Sequence, residues 1–217
     1  MDNYPALIVI APLLTAFLAG IAVWIRERLA YPIALTGLAV SIFSAGKVLM
    51  QVITSGTIQY RLAGWAPPMG IEYRIDLLNA MVLLLVSSIA FLNLVASYKS
   101  VDQEINDRAG SFYTMYLLFV TGLLGVTVTG DLFNLYVLIE LTSLTSYAMI
   151  ALGDRDRAPL ASLNYVFIGV IGASFYLLGV GYLYMQTGSL NMADVANILS
   201  GIQGSSTVLT AFILMMI

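Results

Sequence analysis

The sequence predicts an all-α polytopic membrane protein with six full transmembrane helices, a truncated seventh and a short β-hairpin on the periplasmic face. Three observations predict it. Hydrophobic residues make up 60% of the 217 and charged residues only 10%, with a mean hydropathy of +0.92, far from the balance of a soluble domain. The apolar residues gather in blocks of about 20, the length that crosses roughly 30 Å of hydrocarbon at 1.5 Å per residue. Short polar segments separate the blocks.

The opening stretch, MDNYPALIVI, has no basic run ahead of its apolar residues, so the first block, 4–25, reads as a span and not as a cleaved signal. RER (26–28) separates it from a second span at 30–53. The next connection, TSGTIQYRLAGWAPPMGIEYRID (54–76), alternates residue types on both sides of a Gly/Pro turn, which predicts the hairpin. Spans at 77–98, 111–129, 131–152 and 160–186 follow, with KSVDQEINDRAG (99–110) and GDRDRAP (153–159) among the connections. After GIQGSS only TVLTAFILMMI remains, about 16 Å of helix and half a membrane. A chain terminus at that depth is costly unless another chain shelters it, so the expectation is a fragment or one part of a split subunit. The residues are expected to form a single membrane domain, 1–217, in which 1–110 hold the first three helices and 111–217 an incomplete helix bundle.

Charge sets the orientation and removes several function classes. Arg26, Arg28, Lys99, Arg108, Arg155 and Arg157 fall in the first, third and fifth connections, whereas the hairpin side holds Arg61 and Arg74. The positive-inside rule then places the basic connections in the cytoplasm and the N-terminus outside. A net charge of −3 spread over the connections makes nucleic acid an unsuitable partner. With no Cys and no His, the chain has no disulfide, no thiolate and no imidazole ligand. No cofactor or metal is expected on it, and any electron transfer must take place on another chain.

One acid stands out. Glu140 lies nine residues past Asp131, about 13 Å along the fifth span and close to the membrane midplane. A charge at that depth costs roughly 3 kcal/mol on insertion scales and marks an ion or proton pathway by default. Tyr136, Glu140, Ser143 and Tyr147 share one helical face, giving a stripe of hydrogen-bonding groups. Asp131, just after Gly130, is expected to cap the fifth span. Lys47 lies near enough to the end of its span for its ammonium to reach the interface. In the sixth span Tyr165, Gly169, Gly172, Tyr176 and Gly179 share a face; the glycines suit close helix packing, while Asn164 and the two tyrosines offer hydrogen bonds beside a proton path.

TGDLFNLYVLIELTSLTSYAMIALG (129–153), LNYVFIGVIGASFYLLGVGYLYMQTGSLNMADVA (163–196) and GWAPPMGIEYRIDLLNAM (64–81) resemble the antiporter-type subunits shared by respiratory complex I, membrane-bound hydrogenases and multi-subunit cation/proton antiporters. The likeness is greatest to the N-terminal half of the D-type antiporter subunit. It implies a fold of about fourteen helices with two inverted five-helix repeats, of which this chain is the first part. It also implies that Glu140 pairs with a lysine on the seventh span. Many such subunits have Lys where this chain has Asn164, and this chain stops at Ile217, before the position of that lysine.

Two functions are therefore expected. The first is a proton-translocating, or cation/proton-translocating, subunit of a multi-subunit complex in a prokaryotic plasma membrane. Its relay is Glu140 with Tyr136, Ser143, Tyr147, Asn164 and Lys47. Its partners are lipid, the other membrane subunits of the complex and a chain that supplies the seventh-helix lysine. The second is a non-pumping structural subunit of the membrane arm. In either case the chain is part of an NADH:quinone oxidoreductase-like, hydrogenase or antiporter assembly, with no redox centre of its own.

Overall fold

A computed structural model describes residues 3–105, 108–153, 155–202 and 204–216. Six helices among them are long and apolar enough to cross a membrane. They are α1 (Tyr4–Ile25), α2 (Ala30–Ser55), α3 (Leu77–Glu104), α4 (Ala109–Val128), α5 (Leu132–Ala151) and α6 (Ala158–Thr187). Two shorter helices follow, α7 (Met192–Ser200) and α8 (Ser206–Met216). The hairpin lies between α2 and α3, with β1 (Ile58–Arg61) antiparallel to β2 (Glu72–Ile75) in the register Ile58↔Ile75, Gln59↔Arg74, Tyr60↔Tyr73 and Arg61↔Glu72.

The element boundaries follow local chemistry. Pro5 opens α1, where its missing N–H costs no hydrogen bond. Asp76 and Asp131 cap α3 and α5, each accepting the backbone N–H three residues on, from Asn79 at 2.8 Å and Asn134 at 2.7 Å. Gly188 ends α6 at φ +66°, a left-handed turn that a glycine adopts without a Cβ clash. Two elements depart from the reading of the sequence. α3 continues six residues beyond 98, because KSVDQE contains no helix breaker and ordinary helix formers carry the chain out past the apolar span. α7 was not expected as a separate helix; Asn191 caps it by accepting the N–H groups of Ala193 and Asp194, both at 3.1 Å.

Packing runs from neighbour to neighbour. α1 lies against α2 and α4, α2 against α3, α4 against α5, α5 against α6, and α6 against α8. One buried cluster joins α1–α4 and the hairpin around Ile8, Leu38, Ile75, Leu83, Leu94, Leu117 and Leu124. A smaller one joins α5–α8 through Leu132, Val180, Leu183, Val195 and Ala211. Among the described residues, buried polar side chains in this region bond within the chain, Ser44 Oγ excepted, as a lipid surround favours: Ser41 donates to the Ile8 carbonyl at 2.7 Å and Tyr116 to the Ala90 carbonyl at 2.9 Å.

The two faces are cleanly sorted. Arg26, Arg28, Tyr98, Asp102 and Ala109 line one cavity, and Gln103, Glu104, Arg155, Arg157 and Ala158 line another, so the first, third and fifth connections share a side. At the opposite ends of the helices, backbone bridges tie Tyr73 of the hairpin to Thr129 and tie Asp131 to Asn191. The hairpin, the α4–α5 turn and the α6–α7 turn thus form the other face.

Candidate functional site

α5 is held on two sides. Its Leu138 and Thr142 press on α4, where a side chain at Gly122 would overlap the Thr142 hydroxyl. Its other packed side meets α6. Tyr136 lies parallel to Tyr176, with ring centroids 6.4 Å apart and planes 8° apart, and Tyr147 lies 6.2 Å from Tyr165. Ser162 donates to the Tyr147 carbonyl at 2.7 Å, and the Tyr147 hydroxyl occupies the space a side chain at Gly169 would need.

These contacts bring the two stripes seen in the sequence face to face. The tyrosine pairs are separated by eleven residues on each helix, so the helices run antiparallel in constant register between them. Glu140 then lies level with Gly172, and Ser143 with Gly169. The glycines differ: a Cβ at Gly172 meets nothing within 4 Å, whereas one at Gly179 would run into Met215 and Ala211 of α8. Two glycines serve close packing, as their spacing suggested, and the third leaves room beside the level of Glu140.

Glu140 itself is half-buried, as are Tyr136, Ser143 and Tyr147. Its helical neighbours in this chain, α4 and α6, carry no basic residue, nor does α8. Phe133, Val137 and Leu144, which flank the stripe, are exposed, leaving one side of α5 open to lipid or to another chain. Asn164 is exposed on the first turns of α6. Lys47 is exposed on α2, its Nζ 5.6 Å from the centroid of the Phe43 ring, a cation–π distance.

A second polar cluster, which reading the sequence missed, lies on the hairpin face. Glu72 and Asp131 are both more than nine-tenths buried. The Asn191 side-chain amide donates to Glu72 Oε2 at 3.3 Å. Backbone bonds clamp the three segments: Gly130 N–H to the Glu72 carbonyl at 2.8 Å, Leu132 N–H to the Leu190 carbonyl at 2.9 Å, and Met192 N–H to the Gly130 carbonyl at 2.9 Å. Asn79 and Tyr176 add side-chain bonds to the Thr127 carbonyl at 2.6 Å and the Leu132 carbonyl at 3.3 Å. Burial, and then the neighbouring Tyr60, push the Tyr73 phenol above its ordinary value near 10, so it stays neutral at physiological pH. A cavity of about 320 Å³ opens here, lined by Glu72, Arg74, Asp76, Asn79, Thr129 and Asn191 among others. In the sequence, the only sign of this cluster was the pair of small motifs GD (130–131) and LN (190–191) at span ends.

Known proteins resemble this chain in sequence and fold. Residues 129–217 match the transmembrane family described as NADH:quinone oxidoreductase/Mrp antiporter. NADH-quinone oxidoreductase subunit N of Desulforudis audaxviator (strain MP104C) is 42% identical over 216 residues, 97% of this chain and 42% of its own length. The D-type subunit of the Na(+)/H(+) antiporter of Bacillus subtilis (strain 168) is 34% identical over 197 residues, 90% of this chain and 39% of its own. Among solved structures, a chain of the membrane-bound sulfane sulfur reductase, an archaeal respiratory membrane complex, superposes with a TM-score of 0.89 at 30% identity, over 99% of this chain and 43% of that one. This chain spans about two fifths of the length of the relatives it matches.

Proposed function

Antiporter-like in sequence and fold, this chain belongs over residues 129–217 to the NADH:quinone oxidoreductase/Mrp antiporter transmembrane family, and from that premise we propose that it moves protons, or a cation against protons, across the membrane. Glu140 is the group that takes up and releases the proton. The observation that carries this reading is the meeting of the two polar stripes at Glu140, level with the space at Gly172, where α4, α6 and α8 offer no positive charge.

The chemistry follows from that environment. A carboxyl group releases its proton more readily when a cation approaches and takes one up more readily when the cation withdraws. Because the neighbouring helices lack a cation, a partner chain or segment supplies it, and the lysine implied by the family resemblance fits through the open flank of α5. Movement of that lysine toward Glu140 and away again changes the carboxyl between its two states, a population shift driven by differential interaction. The Tyr136, Ser143 and Tyr147 hydroxyls, each both donor and acceptor, carry the proton along α5 together with water. Asn164 near the basic face and Lys47 on α2 are the peripheral members of the relay. The driving redox reaction or opposing ion gradient belongs to the other membrane subunits of the complex. The N-terminus and hairpin face outward across a prokaryotic plasma membrane.

The test uses the assembled complex that contains this chain, reconstituted in vesicles with a pH-sensitive dye. Glu140→Gln keeps the size and hydrogen-bonding shape of the side chain while removing its exchangeable carboxyl proton. Proton flux is expected to fall at least tenfold with subunit composition unchanged. Flux near the unmodified rate in an assembled Glu140→Gln complex would refute the relay.

A further inference from the structure

We propose that Glu72 is the outer end of the path that serves Glu140, exchanging protons with water on the hairpin side of the membrane. The inference rests on the Glu140 reading above. It begins from a carboxylate that the fold does not need as a carboxylate. Glu72 is 7% exposed, and a buried carboxylate carries a desolvation cost that its surroundings must offset. Among the described residues its side chain accepts one bond, from the Asn191 amide at 3.3 Å, and a glutamine carbonyl would accept that bond equally well without a charge. Asp131, buried to the same extent, is different: it caps α5 through the Asn134 N–H at 2.7 Å, where a negative charge is favoured by the helix N-terminus.

Glu72 is also placed where a terminal proton exchanger must be. It lines the cavity of about 320 Å³ at the hairpin face, room for several water molecules among polar walls. Inward from it, Asn191 bridges to Asp131 through the backbone. Tyr176 donates to the Leu132 carbonyl, one residue beyond Asp131, at 3.3 Å, and its ring lies parallel to that of Tyr136. Tyr136 is one helical turn from Glu140. The succession Glu140, Tyr136 and Tyr176, Asp131, Glu72 therefore covers the outer half of the membrane with groups that donate and accept. A proton leaving the Glu140 carboxyl passes to water beside Tyr136 and Tyr176, then by way of water at Asp131 to the Glu72 carboxylate. Glu72 releases it to the aqueous side, and each acid returns to its starting state. The charged groups around Glu72 are Arg61 opposite it on β1, Arg74 and Asp76 on its own side of the cavity, and Asp131 and Asp194 on the two turns packed against it.

The experiment measures proton flux in the reconstituted, assembled complex while the pH of the hairpin-side and basic-side buffers is varied separately. The variants are Glu72→Gln, Glu72→Asp and Glu140→Gln. Glu72→Gln is expected to lower flux at least fivefold and to flatten its dependence on hairpin-side pH, leaving the dependence on basic-side pH unchanged. Glu72→Asp should restore flux with a shifted hairpin-side profile. Unchanged flux and profile in Glu72→Gln, with flux lost in Glu140→Gln, would overturn the assignment of Glu72 while sparing that of Glu140. Normal flux in Glu140→Gln would instead remove the premise. Should Glu72→Gln not assemble, Glu72→Asp decides: a shifted hairpin-side profile supports the proposal, and a profile identical to the unmodified complex overturns it.

Discussion

Gly169 and Gly172 lie three residues apart on α6, yet the structure gives them opposite roles. A side chain at Gly169 would overlap the Tyr147 hydroxyl, whereas one at Gly172 meets nothing within 4 Å. Gly172→Ala is therefore expected to leave the fold intact and to add up to about 1 kcal/mol of helix stability. It should nonetheless lower proton flux several-fold by filling the space beside Glu140, and Gly172→Leu should lower it further. Thermal stability of the purified complex and vesicle flux check the two halves of that expectation, and a Gly172→Leu complex of unchanged flux would show that the space is not used. Spacing along α5 and α6 made both stripes legible in the sequence. It could not show that they face each other, because periodicity reports which residues share a face and not what that face meets. Glu72 was illegible for a related reason: in a four-residue strand a single acid gives no periodic signal, and its burial depends on Asn191, far away in the sequence.

At the scale of elements, the hairpin and α7 form the face opposite the basic connections. The hairpin was legible because residue types alternate on both sides of a Gly/Pro turn. α7 could have been found from Asn191 followed three residues later by Asp194, a helix-start signal, had the apolar run around it not drawn attention to membrane spans alone. Asn191 does two jobs, capping α7 and bonding Glu72. Asn191→Ala should therefore cost about 1–2 kcal/mol through the lost cap and a further penalty for leaving a buried acceptor without its donor. Limited proteolysis in detergent should cut the α6–α7 turn faster in that variant, while Asn191→Asp, which keeps the cap, should protect α7 but disturb Glu72. Equal cutting of Asn191→Ala and the unmodified chain would show that the clamp does not hold this turn.

The whole molecule was the most legible scale, since composition alone identifies a membrane protein and blocks of about 20 apolar residues give its spans. Sidedness is a sharper claim, because the structure sorts the basic connections onto one face without saying which compartment that face meets. Single cysteines at Ser100 and Ala158 should resist impermeant thiol reagents in intact cells, and one at Gly56 should react; the chain has no native Cys to interfere. The reverse pattern would invert the topology. In the proposed relay the cation for Glu140 comes from a partner, because α4 and α6, which pack against α5 among the described residues, carry no basic residue. The central claim is that Glu140 changes its protonation during turnover, and infrared difference spectroscopy on the reconstituted complex tests it most directly. A protonated-carboxyl stretching band should appear or vanish when turnover begins, and should be absent from the difference spectrum of an assembled Glu140→Gln complex; the same band persisting unchanged in that variant would contradict the account.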